Sequence, residues 1–235
     1  MKDLSSAAQF KKDAGVAAAS LVVSGQKVGL GTGSTAAFAI EELGRRVREE
    51  SLRIDCAATS LGSLLLARKH GLVVHPLEVF EELDISIDGA DEIDPHLNLI
   101  KGGGAAHTIE KLVHSMSKYF IVVADSSKLV DVLGGKFWVP VEVLYPALSF
   151  ASKKLRDLGA SEVKFRTGNG KDGPTISDSG NVILDAKFQI HSPEDLEGKI
   201  NAITGVVENG LFTPRSVSVK KALIAGESGL KEMGK

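Results

Sequence analysis

The sequence contains one cysteine, Cys56, so no disulfide can form within the chain, and this usage fits a reducing compartment. No apolar run approaches the ~20 residues that a membrane-spanning helix needs. The N-terminus is rich in Ala and Ser but lacks the charged-then-apolar layout of a secretory signal. These absences lead to the expectation of a cytoplasmic protein with no membrane partner. No Lys or Arg block stands out. Lys11-Lys12, Arg45-Arg46 and Lys153-Lys154 are short pairs suited to solvated helix faces, and the net charge is -2 with a pI near 6.3. No nucleic-acid surface is therefore expected. The six histidines show no metal-ligand spacing, and neither H-E-x-x-H nor a cysteine pair occurs, so no metal site is expected. A G-x-S-x-G nucleophile elbow is also missing.

What is present is apolar residue in quantity. Of 235 residues 43% are hydrophobic, enough for one large domain or two small ones. Residues 5–23 read as a helix that Ser5 or Ser6 can cap and Ser24-Gly25 ends. A strand over Lys27–Leu30 runs into Gly31-Thr32-Gly33-Ser34-Thr35, and a helix follows to about Glu50. That layout presents backbone N–H groups and hydroxyls at a helix N-terminus, where phosphate is favoured. It serves equally as a tight turn that needs glycine for steric reasons, with Ser34 or Thr35 as ordinary caps. Strands at 54–58, 72–75, 83–87 and 119–124 alternate with helices ending at His70 and Met116. The alternation predicts an α/β fold, a mostly parallel Rossmann-like sheet flanked by helices. The loops at Gly31–Thr35, Thr59-Ser60, Asp88–Asp91 and Ala124–Lys128 then converge at the strands' C-terminal ends, where such sheets bind ligands.

From Gly134-Gly135 the order changes to strand (139–145), helix (147–158), strand (162–167), a polar loop (Gly168–Gly180), strand (182–188) and helix (193–200). This suits a smaller α+β, ferredoxin-like domain. The expected division is 1–132 with 206–235 as the α/β catalytic domain, and 133–205 as the small domain and oligomer interface.

The stretch Asp84–Lys111 concentrates the candidate chemistry. Asp88 and Asp91 flank a turn at a strand's end, with Glu92 and Asp94 close by. Each is individually a good turn residue, but together they gather negative charge that cations or hydroxyls should answer. Lys101 leads three glycines, Gly102, Gly103 and Gly104, whose backbone can approach a ligand closely. Glu110 and Lys111 follow near a helix start. Carboxylates, a lysine and exposed peptide N–H groups are the parts of proton transfer on a small anion. Lys128, after the strand ending at Ala124, is placed for an anion or for solvent.

The segments GLGTGSTA, DGADEID, KGGGAAHTIEK, ADSSK, PVEV and INAITGVVENGLF occur in this order, and the chain resembles ribose-5-phosphate isomerase of type A over nearly its full length. The resemblance implies interconversion of ribose 5-phosphate and ribulose 5-phosphate through an enediolate, in the non-oxidative pentose phosphate pathway, with no cofactor. It implies that Glu110 is the base, that Asp88 and Asp91 bind sugar hydroxyls and assist ring opening, and that Lys101 stabilises charge on oxygen. Thr32, Gly33, Ser34 and Thr35 match the phosphate loop, Gly102–Gly104 the substrate-side backbone, and Lys128 and Lys11 (or Lys12) phosphate lysines. A homodimer or homotetramer is implied. His107 and the long loop Gly168–Gly173 stand apart from the family pattern. A sugar-phosphate sensor would need neither Glu110 nor Lys101, and its helix-turn-helix has no room before Lys27. A dinucleotide enzyme would need the full glycine fingerprint and an acid ~20 residues on; Asp55 lies too early in its strand.

Overall fold

A computed structural model describes residues 5–168 and 172–234. Residues 169–171 of the predicted polar loop lie outside the described residues. The helices are α1 (Ser6–Ser20), α2 (Ser34–Glu49), α3 (Leu61–Lys69), α4 (His107–Ser115), α5 (Leu148–Asp157) and α6 (Pro193–Asn201). The strands are β1 (Lys27–Leu30), β2 (Asp55–Ala58), β3 (Leu83–Asp88), β4 (Glu92–Ile93), β5 (Leu99–Ile100), β6 (Ser117–Asp125), β7 (Val139–Val143), β8 (Glu162–Phe165), β9 (Val182–Lys187), β10 (Val206–Asn209), β11 (Leu211–Phe212), β12 (Val219–Gly226) and β13 (Gly229–Gly234). The chain forms two compact units, one of Met1–Ala90, Ile109–Lys128 and Ser218–Lys235, the other of Asp91–Thr108 and Leu129–Val217.

The first unit holds a six-stranded sheet in the order β13-β12-β6-β3-β1-β2. Its strands are parallel except for β13, which closes one edge antiparallel to β12. The apolar run in β6 takes a central position, where both faces are covered. On one face Ala14, Ala18, Ile40 and Leu43 of α1 and α2 pack on Val28, Leu30, Ile85, Ile87, Ile121 and Val123. Side chains alternate along a strand, so Cys56 joins this core while its neighbour Ala57 packs with Leu83, Phe80 and Val113 of α4. Burial among apolar groups pushes the Cys56 thiol up to about 12, so it stays protonated and unreactive at neutral pH. The crossover through α2 leads from β1 to β2, and the one through α4 leads from β3 to β6. The connections therefore diverge between β1 and β3, which is the switch point where open α/β sheets leave a crevice.

The second unit is built on an antiparallel sheet, β10-β7-β9-β8. With α5 and α6 its chain order is βαββαβ, the ferredoxin-like pattern. One face is apolar at every second residue: Val139, Val141, Val143, Leu184 and Ala186 meet Ala151, Leu155 and Ile200 of the helices. A small sheet, β11-β5-β4, completes the unit.

Several boundaries differ from those predicted. Residues 72–75 form a single bridge, Cys56 to Val74, at the sheet's edge. The first helix ends at Ser20, before Ser24-Gly25. The chain returns to the first unit only at Ser218, because β10 pairs with β7 and β11 with β5, and residues 91–108 belong with the second unit for the same reason. No helix among the described residues is long and apolar enough to cross a membrane.

Candidate active site

The switch point of the first unit is assembled from main chain and one carboxylate. Asp88, the last residue of β3, is fully buried. Its Oδ1 accepts the N–H of Thr32 at 2.9 Å and of Gly89 at 2.7 Å. Gly31 permits this: a Cβ there would sit 2.2 Å from Asp88 Oδ1. The steric reading of that glycine is therefore correct, and the phosphate reading is compatible with it. Thr32 Oγ1 lies 2.7 Å from both Thr59 Oγ1 and Ser60 Oγ, so the turns after β1, β2 and β3 meet as their topology requires.

The Gly31–Thr35 turn opens α2, with Gly33 at the N-cap and no side chain capping it. Ser34 and Thr35 are thus helical residues rather than caps, and the first N–H groups of α2 are oriented along the axis toward the turn. Of Lys11 and Lys12, Lys11 is the one that reaches the turn: its Nζ donates to Ser34 Oγ at 3.1 Å, while Lys12 is exposed. Gly15, one turn on, lets α1 lie against α2, since a Cβ there would be 2.9 Å from Thr35 O and Ala39 N. Lys128 closes a 3-10 turn, Ser126–Lys128, after β6, and is half-buried.

Glu110 occupies the first turn of α4 and is 3% exposed. One turn further, His114 is buried and approaches Asp88 Oδ2 through Nε2 at 2.8 Å and Ser86 Oγ through Nδ1 at 3.0 Å. An ionised carboxylate only accepts, so Nε2 carries the proton. The imidazole stacks on Phe120 with ring centroids 3.9 Å apart. Sequence inspection passed over His114 because its partners lie 26 and 28 residues away; a buried position on the Glu110 face of α4 was the available signal.

In the second unit Lys101 directly follows β5 and is 3% exposed, with its Nζ 5.6 Å from the centre of the Phe212 ring. Its backbone N–H donates to Gly210 O. Gly102 has φ 103°, and a Cβ on it would lie 2.7 Å from His107 Nδ1. Both facts require glycine there. The glycine run is not uniformly open, because Gly103 N–H donates to Asp91 Oδ2 at 2.8 Å. Arg166, also unread in the sequence, donates to Gly102 O at 2.6 Å and to Gly103 O at 3.1 Å.

Glu92 and Asp94 are answered by backbone amides. Glu92 accepts N–H groups of Gly134, Lys136 and Phe137, and Asp94 those of His96 and Asn98, so both are structural ties. Among the described residues no group of three or more His, Cys, Asp or Glu side chains is placed to hold a metal ion.

Comparison with known proteins identifies the family. The family profile of Ribose 5-phosphate isomerase A (phosphoriboisomerase A) matches residues 55–229. Ribose-5-phosphate isomerase A of Thermosynechococcus vestitus is 51% identical over 221 residues, covering 93% of this chain and 92% of its own. That of Methanothermobacter thermautotrophicus is 50% identical over 224 residues, covering 94% and 96%. The solved ribose 5-phosphate isomerase A of Methanocaldococcus jannaschii superposes with a TM-score of 0.92 at 42% identity, over 97% of this chain and 99% of its own. A solved D-ribose-5-phosphate isomerase in complex with phospho-erythronic acid gives 0.93 at 39% identity, over 97% and 98%. With the family profile matched over residues 55–229, the same fold as solved members and about half of its residues shared with these two relatives along almost the whole length, this chain belongs to the ribose 5-phosphate isomerase A family.

Proposed function

We propose that this chain interconverts D-ribose 5-phosphate and D-ribulose 5-phosphate through an enediolate, as an aldose-ketose isomerase of the non-oxidative pentose phosphate pathway. The observation that carries the reading is Glu110, a carboxylate 3% exposed in the first turn of the helix that follows KGGG. Withdrawing a carboxylate from water costs on the order of several kcal/mol before compensation. Strongly buried ionisable groups of this kind gather where proton transfer occurs.

In this reading Glu110 removes the C2 proton of the open-chain aldose. The C2–H electron pair becomes the C1–C2 double bond, and the C1 carbonyl oxygen takes the negative charge. Lys101 and peptide N–H groups of the glycine run stabilise that oxygen. Return of the proton from Glu110 to C1, with transfer of the O2 proton to O1, gives the ketose. Asp88 and Asp91 hold sugar hydroxyls and assist ring opening. The donors to Asp88 from Thr32, Gly89 and His114 keep it from rotating away. The phosphate takes the Thr32–Thr35 turn, where the N-terminus of α2 and Lys11 supply positive potential, and Lys128 adds to it. No cofactor enters these steps. The same reading makes the protein cytoplasmic and a homodimer or homotetramer, with the second unit's sheet-and-helix body at the interface.

The test is an assay of ribose 5-phosphate with EDTA and without nucleotide. Ketose should form at enzymatic rates. No conversion would overturn the assignment and favour a sugar-phosphate sensor.

A further inference from the structure

Beyond the residues that touch substrate in this reading, one side chain holds the glycine run from behind. Arg166 follows β8, and its own backbone is pinned on both sides, N–H to Ile183 O at 2.8 Å and carbonyl to Thr175 N–H at 2.7 Å. Its guanidinium is gripped by Asp185 of β9, Nε to Oδ2 at 2.9 Å and Nη2 to Oδ1 at 2.5 Å. A planar guanidinium held at Nε and Nη2 has its remaining nitrogen aimed in a fixed direction. That nitrogen, Nη1, meets the carbonyls of Gly102 and Gly103.

The consequence follows from peptide geometry. In a trans peptide the C=O of one residue and the N–H of the next point in opposite directions. The Gly102–Gly103 peptide is therefore clamped at both ends, its oxygen by Arg166 and its N–H by Asp91. The Gly103–Gly104 peptide has its oxygen on Arg166, which turns Gly104 N–H to the side away from the guanidinium. Three glycines in succession have the widest backbone freedom of any sequence, so a directed N–H in this run needs such an external tie. A cation on the two carbonyl oxygens also polarises both peptides and strengthens their N–H groups as donors.

We propose that Arg166, oriented by Asp185, is a positioning residue for catalysis: it fixes and polarises the Gly102–Gly104 peptides against the charge that develops on the substrate oxygen. This rests on the isomerase reading above, and wild-type turnover is measured first so that the two can fail separately. The test compares Arg166→Gln, Arg166→Lys and Asp185→Asn with wild type for kcat, KM and inhibition by phospho-erythronic acid. A misplaced set of donors reduces rate by about tenfold to a hundredfold. The expected result is a kcat loss of that size in Arg166→Gln, a KM within about threefold of wild type, and inhibitor affinity falling in step with kcat. Lys cannot bridge Asp185 and two carbonyls in one plane, so Arg166→Lys should not restore the rate. Asp185→Asn should show the same pattern more weakly, and it carries the test if the Arg166 variants do not accumulate folded. Unchanged kcat and inhibitor affinity with only a lower melting temperature, or full rescue by Lys, would overturn the proposal.

Discussion

The difference between Glu110 and a glutamine is one heavy atom, and under the proposed mechanism that atom carries the basicity the reaction needs. Glu110→Gln keeps the volume and one carbonyl oxygen of a side chain that is 3% exposed, so its packing should survive. Turnover is expected to fall by ~10²-fold or more with KM little changed, because the lost interaction exists only in the transition state. Steady-state kinetics of the purified variant measure this, and turnover near wild type would remove Glu110 from its role. Residues of this kind were legible because chemistry and chain position coincide: Asp88 ends a strand, Glu110 begins a helix, and Lys101 leads a glycine run. His114 and Arg166 were not. Nothing in their local sequence sets them apart from any other helix histidine or strand arginine. Their function is defined by partners 26 and 64 residues away, at Asp88 and Gly102. A lone sequence gives no register for contacts of that range.

At the scale of elements, the first unit's site is a β1–turn–α2 unit docked on the end of β3, and its tolerance is set by Gly31. Adding one methyl there places carbon 2.2 Å from Asp88 Oδ1 and 2.5 Å from Ile87 O, and the second of these is backbone that cannot swing aside. Gly31 N–H also donates to Ile87 O at 2.9 Å, so β1 and β3 are joined at this point. Gly31→Ala is expected to destabilise the protein by about 1–3 kcal/mol, as overpacking does. It should also raise KM for the sugar phosphate, because the Thr32 bond to Asp88 fixes the loop assigned to the phosphate. Denaturant unfolding and KM together test it, and wild-type values for both would show that the turn is not tied to Asp88. The helices of this unit and its strand β6 could be read in advance because each carries apolar pattern over many residues, whereas β12 and β13 were not read. Two-residue strands carry none, so β4, β5 and β11 were not foreseen. In β3 the polar residues Ser86 and Asp88, which alternate with apolar ones, are also buried. Alternation of residue type marks a face, but only the covering helix decides whether that face is wet.

For the molecule as a whole, the two compact units place residues 91–108 and 206–217 with the second body, where the reading of the sequence assigned them to the first. The apolar periodicity of β7, α5, β9 and α6 is self-contained and announced a separate body. The strands that extend it come from residues 91–108, which were read for their chemistry, and from 206–217, which were read as a return to the first domain. Extra apolar surface then locates the expected self-association. Tyr145 is 73% exposed and Leu144 and Phe150 are each 49% exposed, all within seven residues at the corner between β7 and α5. Val207 of β10, whose strand pairs with β7 beside this corner, is 38% exposed. Large apolar side chains left in water in such a cluster mark a protein–protein contact. The wild-type chain should therefore run as a dimer or tetramer in size-exclusion chromatography with light scattering. Tyr145→Asp combined with Phe150→Glu should lower the mass toward that of the monomer, 24.8 kDa from the sequence. Both side chains point to solvent within the unit, so the far-ultraviolet circular dichroism should not change. A monomeric wild type, or a double variant that keeps the wild-type mass, would remove this corner from the interface, since charge introduced into a desolvated apolar contact has no compensating partner.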